Sequence, residues 1–449
     1  MTLRLPLPLL AALAGASALA GCSRAPAPAD AEIAPAATTT ATADMDRIAD
    51  DYIHLVLSLG RHDADYVDAY YGPPARRAAA DSAALDLAAI RARAQARVAA
   101  LREPAPTSPD TLVALRRAYL ARQLEALDAR AAMLQGTRLS FDEESRALYD
   151  AVAPRHDAAH FEAVLRELDA ALPGEGALPE RYQRWRRGFV IPRERLDTVF
   201  TAAIDACRER TARRIALPPG ESFVVEYVTG KPWSGYNWYQ GGYHSLIQVN
   251  TDLPIYIDRA VDLACHEGYP GHHVYNVLLE EHLVRARGWP EFTVYPLFSP
   301  QSLIAEGSAN HGIEMAFPGT ERDEFERATL FPLAGLDPAR TGEYYRVQAL
   351  VARLGYAGNE AARRYLDGEI AAPEAIDWLT RYALMSPESA AQRIRFFDTY
   401  RSYVINYNLG KDIVDAYVTR EAGAGASEAA RWRVFEALLS SPRLPSGLR

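Results

Sequence analysis

The sequence predicts a mainly α-helical protein that carries a small β-sheet just before a histidine-rich segment. Apolar residues recur at helical spacing over most of the chain, beginning with Ile48, Tyr52 and Leu55. The stretch 218–252 is instead rich in β-branched and aromatic residues, which favour strands. Three of the ten histidines then fall within residues 266–273. Together these patterns predict a helical protein organised around one chemical site.

Composition limits the classes of function. The chain has 449 residues, of which 49% are hydrophobic and 24% charged, as expected for a globular protein with one large or two closely associated domains. The formal net charge is −9 and the basic residues form no long run. We therefore expect no nucleic-acid partner.

Residues 1–21 predict a lipoprotein signal peptide. Arg4 precedes an apolar run from Leu5 to Leu19 that is short for a membrane span, and small residues then lead to Cys22. We expect removal of residues 1–21 and lipidation of Cys22, which would anchor the chain to a membrane of the cell envelope. Ser23 favours the outer membrane, facing the periplasm. An ordinary signal peptide or a membrane anchor is the alternative.

Residues 22–43 contain mostly Ala, Pro and Thr and predict a disordered tether. Residues 44–449 follow as one helical domain, with a scaffold half over 44–215 and a metal-site half over 216–449. In the scaffold half, apolar periodicity and capping residues predict helices over 83–102, from Asp110 onward, and over 141–152, 158–171 and 192–214.

Two strands are predicted before the histidines, over Phe223–Val228 and over Tyr243–Asn250. The aromatic, glycine-rich segment Trp233–Gly242 between them is predicted as a loop, so that the strands form a hairpin-like sheet. Its edge could hold an extended peptide by backbone hydrogen bonds, or the sheet could be purely structural. Tyr243 is a candidate substrate contact.

The pair His266-Glu267 resembles the start of the zinc motif H-E-x-x-H, in which two histidines and a general base share one helix. Pro270 occupies the position of the second histidine and cannot bind a metal. On a straight helix a residue six positions after His266 points roughly 120° away, and one seven positions after lies about 10 Å further along. The spacing therefore requires a break in the helix.

Glycine and proline between residues 268 and 271 supply that break. We predict a helix that ends near Glu267, a bulge, and a second helix that begins at His272 and His273. The metal ligands are then His266 and one of these two histidines. His272 is preferred, because a two-residue insertion distorts the helix less than a three-residue insertion.

Cys207 and Cys265 are the two cysteines left in the folded part. An envelope compartment would permit a disulfide between them. Because Cys265 adjoins His266, it could also be a buried thiol below the site, and we favour two free, buried thiols.

A second apolar helix, near 303–314, carries two glutamates. Small and apolar neighbours surround Glu306, so it is predicted as the third metal ligand. His311 or Glu314 would then fix the tautomer of a ligand histidine.

Further helices are predicted over 339–367, 373–384, 387–408, 411–421 and 427–440. One of these stretches contains a cluster of basic and tyrosine side chains: Arg393, Arg395, Arg401, Tyr403 and Tyr407. They could recognise an oxyanion and a carboxylate, or form a solvated basic face with core tyrosines.

Three segments resemble motifs of the bacterial domain-of-unknown-function family 885, which is expected to contain gluzincin-like zinc metallopeptidases. Residues 266–273 match H-E-x-x-P-G-H-H. Residues 306–314 are similar to E-G-W-A-x-Y-x-E, with Ser308 for Trp and His311 for Tyr, and residues 407–411 match Y-x-x-G-K. The resemblance spans about residues 45–445 and implies a mainly helical, gluzincin-like cleft fold with a small sheet edge.

The expected activity is zinc-dependent hydrolysis of peptide bonds in short peptides, with one Zn²⁺ per chain. Glu267 would act as the general base on the metal-bound water, and Tyr407 would stabilise the oxyanion. Tyr403 and Arg401 are further candidates near the ligands or the substrate. The alternative is a catalytically inactive envelope lipoprotein that binds peptides or a protein partner.

Overall fold

The structure is a computed structural model that describes residues 36–104 and 108–449, with side chains from Asp44 onward. The predicted signal peptide and Cys22 lie outside the described residues. Within the described ranges, no helix is both long enough and apolar enough to cross a membrane.

Helices build most of the described chain, as predicted. In the first half they are α1 to α8, in order Ala36–Leu59, Pro74–Ala83, Leu87–Arg102, Thr111–Leu134, Phe141–Tyr149, Ala158–Ala171, Leu178–Arg186 and Leu196–Ala212. In the second half they are α9 to α19, in order Asp258–Leu263, His272–Leu279, Pro300–Ala316, Glu321–Phe325, Phe331–Ala334, Thr341–Ala352, Ala357–Leu366, Ala372–Tyr382, Pro387–Tyr400, Ile405–Ala422 and Glu428–Leu439.

Several boundaries differ from the sequence prediction, and three of the differences are substantial. Helix α1 begins at Ala36 and so extends into the predicted tether, in keeping with the high helix propensity of alanine. Four residues, 353–356, separate α14 from α15, where one helix was predicted. The third difference concerns the break between α17 and α18. It lies at Arg401, which has a φ of 51°, and α18 then continues through Gly410, where a break was predicted.

The sheet before the histidines has three strands: β2 (Ser222–Val228), β3 (Gly235–Gly241) and β4 (His244–Asn250). The prediction of a loop over 233–242 is wrong for β3, which pairs antiparallel with β4 as a hairpin. The two predicted strands, β2 and β4, are parallel neighbours instead. Their order in the sheet is β2–β4–β3, so β3 lies at an edge.

A second, two-stranded sheet joins the two halves of the chain. Strand β1 (Val67–Tyr70) pairs antiparallel with β5 (Val294–Pro296). One buried apolar cluster also draws on both halves, from Met45 to Leu448. The scaffold half and the metal-site half therefore share a hydrophobic core.

Cys207 of α8 and Cys265 form a disulfide, with their Cα atoms 5.7 Å apart. The prediction of two free thiols is wrong. Both side chains are buried where α8 packs against the end of α9. Their separation of 58 residues in sequence gave no indication of this proximity.

Candidate metal centre

The histidine segment folds into a bulge between two helices. Helix α9 continues into a π-helical turn over Ala264–Gly268, and α10 begins at His272. Between them the chain turns back sharply at Gly271, where a Cβ atom would lie 1.8 Å from the backbone oxygen of His266. Only glycine permits this approach. The predicted break of the helix is thus present, and glycine is required for it.

The bulge brings the imidazoles of His266 and His272 together, with 3.1 Å between their Nε2 atoms. Glu306 of α11 completes the group. Its Oε2 atom lies 3.2 Å from His266 Nε2 and 3.7 Å from His272 Nε2. The three potential ligand atoms all lie within 4.8 Å of one another. This is a two-histidine, one-glutamate set of the kind that binds Zn²⁺.

The hydrogen bonds around His266 indicate which ring nitrogen is free. Asn310 donates from Nδ2 to the backbone oxygen of Tyr407 at 3.0 Å, so its Oδ1 faces His266 Nδ1, also at 3.0 Å. His266 therefore donates from Nδ1, and the lone pair on Nε2 points toward Glu306. The buried Oε2 atom of Glu306 accepts no hydrogen bond. Converging lone pairs of this kind fit a cation.

Tyr403 supports the glutamate. Its hydroxyl donates a hydrogen bond of 2.7 Å to Glu306 Oε1, which leaves Oε2 directed at the histidines. Burial alone would raise the pKa of Glu306, but in the absence of a cation the protonated forms of His266 and His272 hold it well below its usual range, through hydrogen bonds and positive charge. The carboxylate is therefore held in its charged form, as a metal ligand requires.

Glu267 lies beside this group and is buried. Burial raises the pKa of its carboxyl group to about 7, while the His272 imidazole opposes the shift and the Glu306 carboxylate adds to it. Strand β3 holds this residue in place. Asn237 donates from Nδ2 to the Glu267 backbone oxygen at 2.8 Å, and a Cβ on Gly235 would lie 2.8 Å from Glu267 Oε1.

His273 does not belong to the ligand group, which corrects its inclusion among the candidate ligands. It is 0% exposed, its Nδ1 lies 2.9 Å from Ser245 Oγ, and its Nε2 lies 3.0 Å from Glu221 Oε2. Both ring nitrogens are therefore occupied. Adjacent residues at the start of α10 point in different directions, so His273 ties the helix to the sheet while His272 faces His266.

His311 and Glu314 do not contact the ligand histidines, so the prediction that one of them fixes a tautomer is wrong. His311 is buried with Nδ1 3.5 Å from Asp415 Oδ1, and burial lowers the pKa of its imidazole to about 4. Glu314 pairs with Lys411 at 2.8 Å. Asn310, and neither of these two residues, contacts Nδ1 of His266. It lies four residues after Glu306, on the same face of α11, which is the signal that could have identified it.

Two other candidates lie away from the site. Tyr243, with a φ of 64°, is in the turn between β3 and β4, and its hydroxyl contacts Glu281. Arg401 donates from Nε to Glu144 at 2.7 Å. Both residues have a positive φ, as residues in turns often do. Neither of them lines the cavity beside the ligand group.

The ligand group opens into a cavity of about 900 Å³. Tyr407, predicted to stabilise an oxyanion, lines this cavity together with the edge strand β3 and one face of α17. Asp68 of β1 also lines it and was not identified from the sequence. Burial raises the pKa of Asp68 to about 7, although Tyr236 donates a hydrogen bond of 3.1 Å to its carboxylate.

A pair of glycines brings α11 and α18 into close contact. A Cβ on Gly307 would lie 2.4 Å from the carbonyl carbon of Gly410, and a Cβ on Gly410 would lie 2.7 Å from the oxygen of Leu303. The backbones therefore meet without intervening side chains. This approach positions Glu306 next to Tyr403 and Asn310 next to the backbone of Tyr407.

No family model matches the chain, and no curated protein matches it. Among solved structures, a candidate lipoprotein from Colwellia psychrerythraea is 15% identical with a TM-score of 0.50, over 81% of this chain and 68% of that chain. A candidate lipoprotein of unknown function from Shewanella oneidensis is 12% identical with a TM-score of 0.43, over 81% and 75%. An M32 carboxypeptidase from Deinococcus radiodurans R1 is 15% identical with a TM-score of 0.34, over 88% and 89%. The likeness to the Colwellia chain shows a shared fold.

Proposed function

We propose that this protein is a zinc-dependent hydrolase of peptide bonds in short peptides. One observation carries the proposal: His266, His272 and Glu306 direct their ligand atoms to one point, with Glu267 beside them at the wall of a cavity. This is the residue set that metal-assisted amide hydrolysis requires.

His266, His272 and Glu306 would hold one Zn²⁺. The bound ion would act as a Lewis acid that polarises a carbonyl group and lowers the pKa of water. Asn310 and Tyr403 orient two of the ligands through the hydrogen bonds described above. These neighbours direct the imidazole lone pair and the carboxylate oxygen toward each other, where an ion would be held.

Glu267 takes the proton from the attacking water and delivers it to the leaving amine. Glu267 directly follows the ligand His266 in the sequence and is not itself a member of the ligand group. The hydroxyl of Tyr407, at the wall of the same cavity, donates to the oxygen on which negative charge develops.

Strand β3 provides a place for the peptide backbone. In the part of the chain that the structure describes, it pairs on one side only, with β4, and four of its residues line the cavity, namely Gly235, Tyr236, Asn237 and Tyr239. An extended peptide can therefore add to this edge by backbone hydrogen bonds. A cavity of about 900 Å³ holds a short peptide but no folded protein.

The substitution Glu267→Gln tests this function. We expect the variant to retain about one zinc per chain and to lose hydrolysis of a mixed peptide library by about 10²- to 10⁴-fold, the usual contribution of a general base. Glu314→Gln is the matched control, because Glu314 lines the cavity but pairs with Lys411. Activity that survives Glu267→Gln contradicts the mechanism. A wild-type protein that binds zinc and peptides without turnover would instead be the binding lipoprotein.

We also propose that the protein is an envelope lipoprotein anchored through Cys22. The Leu-Ala-Gly-Cys sequence at residues 19–22 supports this location, as does the disulfide, which forms and persists in oxidising compartments. We expect the protein to fractionate with membranes and Cys22→Ser to abolish labelling by radioactive palmitate. Equal labelling of both proteins would refute the anchor.

A further inference from the structure

One cation at the wall of the cavity has no anionic partner. Four cationic side chains line this cavity, from Arg259, Arg322, Arg393 and Lys411. Three of them are ion-paired: Arg259 and Arg322 with Asp262 at 3.0 and 2.9 Å, and Lys411 with Glu314 at 2.8 Å. Over residues 44–104 and 108–449, Arg393 forms no ion pair and no hydrogen bond.

The surroundings of Arg393 leave its charge uncompensated. Its guanidinium carbon lies 5.1 Å from the centre of the Phe396 ring. Desolvation by the surrounding wall lowers the pKa of its guanidinium group; the Tyr407 phenol opposes this shift and the Arg259 charge adds to it. No carboxylate among the described residues contributes to the shift. Arg393 is half-buried in the cavity wall, and a partly desolvated cation without an anionic partner suits an anion supplied by a ligand.

Arg393 lies on the face of α17 that lines the cavity, together with Ser389 and Gln392. Gln392 donates from Nε2 to the backbone oxygen of Lys231 at 3.3 Å, so the segment that leads into β3 meets α17 next to Arg393. Arg393 therefore lies near the Gly235 end of the edge strand. The phenol of Tyr407 lies close enough to Arg393, Glu306 and Glu267 for their charges to affect its pKa.

We take a bound peptide to pair with β3 in the antiparallel sense, as β4 does on the other side of this strand. A peptide that adds antiparallel to β3 runs from the Gly241 end toward the Gly235 end. Its carboxyl end then reaches the place where Lys231 and Gln392 meet, beside Arg393. An arginine is well suited to this end, because its planar guanidinium binds a carboxylate through two parallel hydrogen bonds.

We propose that Arg393 binds the α-carboxylate of the substrate's C-terminal residue, so that the enzyme cleaves peptides near their carboxyl end. This inference rests on the function proposed above and adds the end of the peptide that is recognised. Arg393 contacts the substrate as a specificity residue and takes no part in the proton transfers.

A mixed tetrapeptide library, prepared both as free acids and as C-terminal amides, tests the proposal. We expect the zinc-loaded wild-type protein to hydrolyse the acids at least about 30-fold more efficiently in kcat/KM than the amides, which is the lower end of the effect of losing one partner of a buried charge pair. Arg393→Gln should remove this preference, mainly by raising KM for the acids, and Arg393→Lys should restore part of it. Mass spectrometry should place the cleaved bond near the carboxyl end.

Arg395→Gln is the matched control, because Arg395 is an exposed arginine on the same helix that does not line the cavity. It should retain the full preference for acids. Equal hydrolysis of acids and amides by the wild-type protein overturns the proposal. It is also overturned if Arg393→Gln lowers kcat/KM equally for the acids and the amides while zinc content and Tm are unchanged.

A binding measurement separates this proposal from the proposed function. In the zinc-loaded Glu267→Gln protein, calorimetry should show tighter binding of the acids than of the amides, and addition of Arg393→Gln should abolish the difference. If the wild-type protein hydrolyses nothing but this binding difference is present, the hydrolase proposal fails and the role of Arg393 stands. Equal binding of acids and amides refutes the role of Arg393 whatever the activity.

Discussion

A single amide side chain determines how the ligand group is presented. Asn310 holds the Nδ1 hydrogen of His266 and is itself held by the backbone of Tyr407. The sequence was sufficient to select His266, His272 and Glu306, which the structure brings together, because each is a typical ligand type in a distinctive context. It could not identify Asn310, since the role of an amide depends on which backbone group lies opposite it on another helix.

Loss of this amide should weaken zinc binding. Asn310→Ala removes the acceptor for His266 Nδ1, so we expect zinc affinity to fall by about 10- to 100-fold, the usual effect of losing a partner of a ligand histidine. Asn310→Asp keeps an acceptor oxygen but loses the donor to the Tyr407 backbone oxygen, so it should recover only part of the lost affinity. Competition with a chromophoric chelator measures both.

Asn408→Ala is the control for this change, since Asn408 bonds to Asn359 at 3.0 Å and contacts no ligand. If Asn310→Ala binds zinc as tightly as the control, the amide does not orient His266.

Among the elements, the pair α11 and α18 does most to assemble the site, because their backbones meet at Gly307 and Gly410. Periodicity predicted both helices, but it also predicted a break at Gly410, where the helix in fact continues. Glycine within a helix is ambiguous in sequence, since it marks either an end or a close contact. Strand β3 was missed for a related reason: its glycines and polar residues hide the alternation of an edge strand.

A methyl group between these helices should separate them. We expect Gly307→Ala to lower the free energy of unfolding by about 1–3 kcal/mol, as overpacking of a tight contact usually does, and to weaken zinc binding because the adjacent Glu306 moves. Denaturant unfolding and zinc titration measure the two effects.

Gly342→Ala in α14 is the matched control. A Cβ at this position meets no atom within 4 Å, and the helix should gain up to about 1 kcal/mol from alanine. Equal stability of Gly307→Ala and wild type would show that the helix pair tolerates a wider separation.

At the scale of the whole molecule, the helical class and the presence of a small sheet before the histidines follow from the sequence pattern. What the pattern lacks is the pairing of distant segments: the parallel contact of β2 with β4, the sheet formed by β1 and β5, and the disulfide. Each depends on distances that arise only when both halves of the chain pack into one core. Periodicity is a local property and carries no information about them.

The disulfide should contribute strongly to global stability. It closes a loop of 58 residues, for which the chain-entropy account gives about 4 kcal/mol. We therefore expect the double variant Cys207→Ala/Cys265→Ala to unfold at a lower denaturant concentration than the oxidised wild type. Reductant should lower the unfolding midpoint of the wild type and leave that of the variant unchanged. Unfolding curves that do not respond to reductant would show that the bond contributes nothing.

The contact between Gly307 and Gly410 has a consequence for inheritance. The residues that flank these glycines hold one another in place. The segments 306–314 and 407–411, although far apart in the chain, are therefore a single unit under selection. Among homologous proteins, replacement of one of these glycines by a larger residue should be accompanied by substitutions in the other segment. A search that scores these segments jointly should therefore recognise distant relatives that either segment alone would miss, and independent variation of the two glycines among relatives would contradict this.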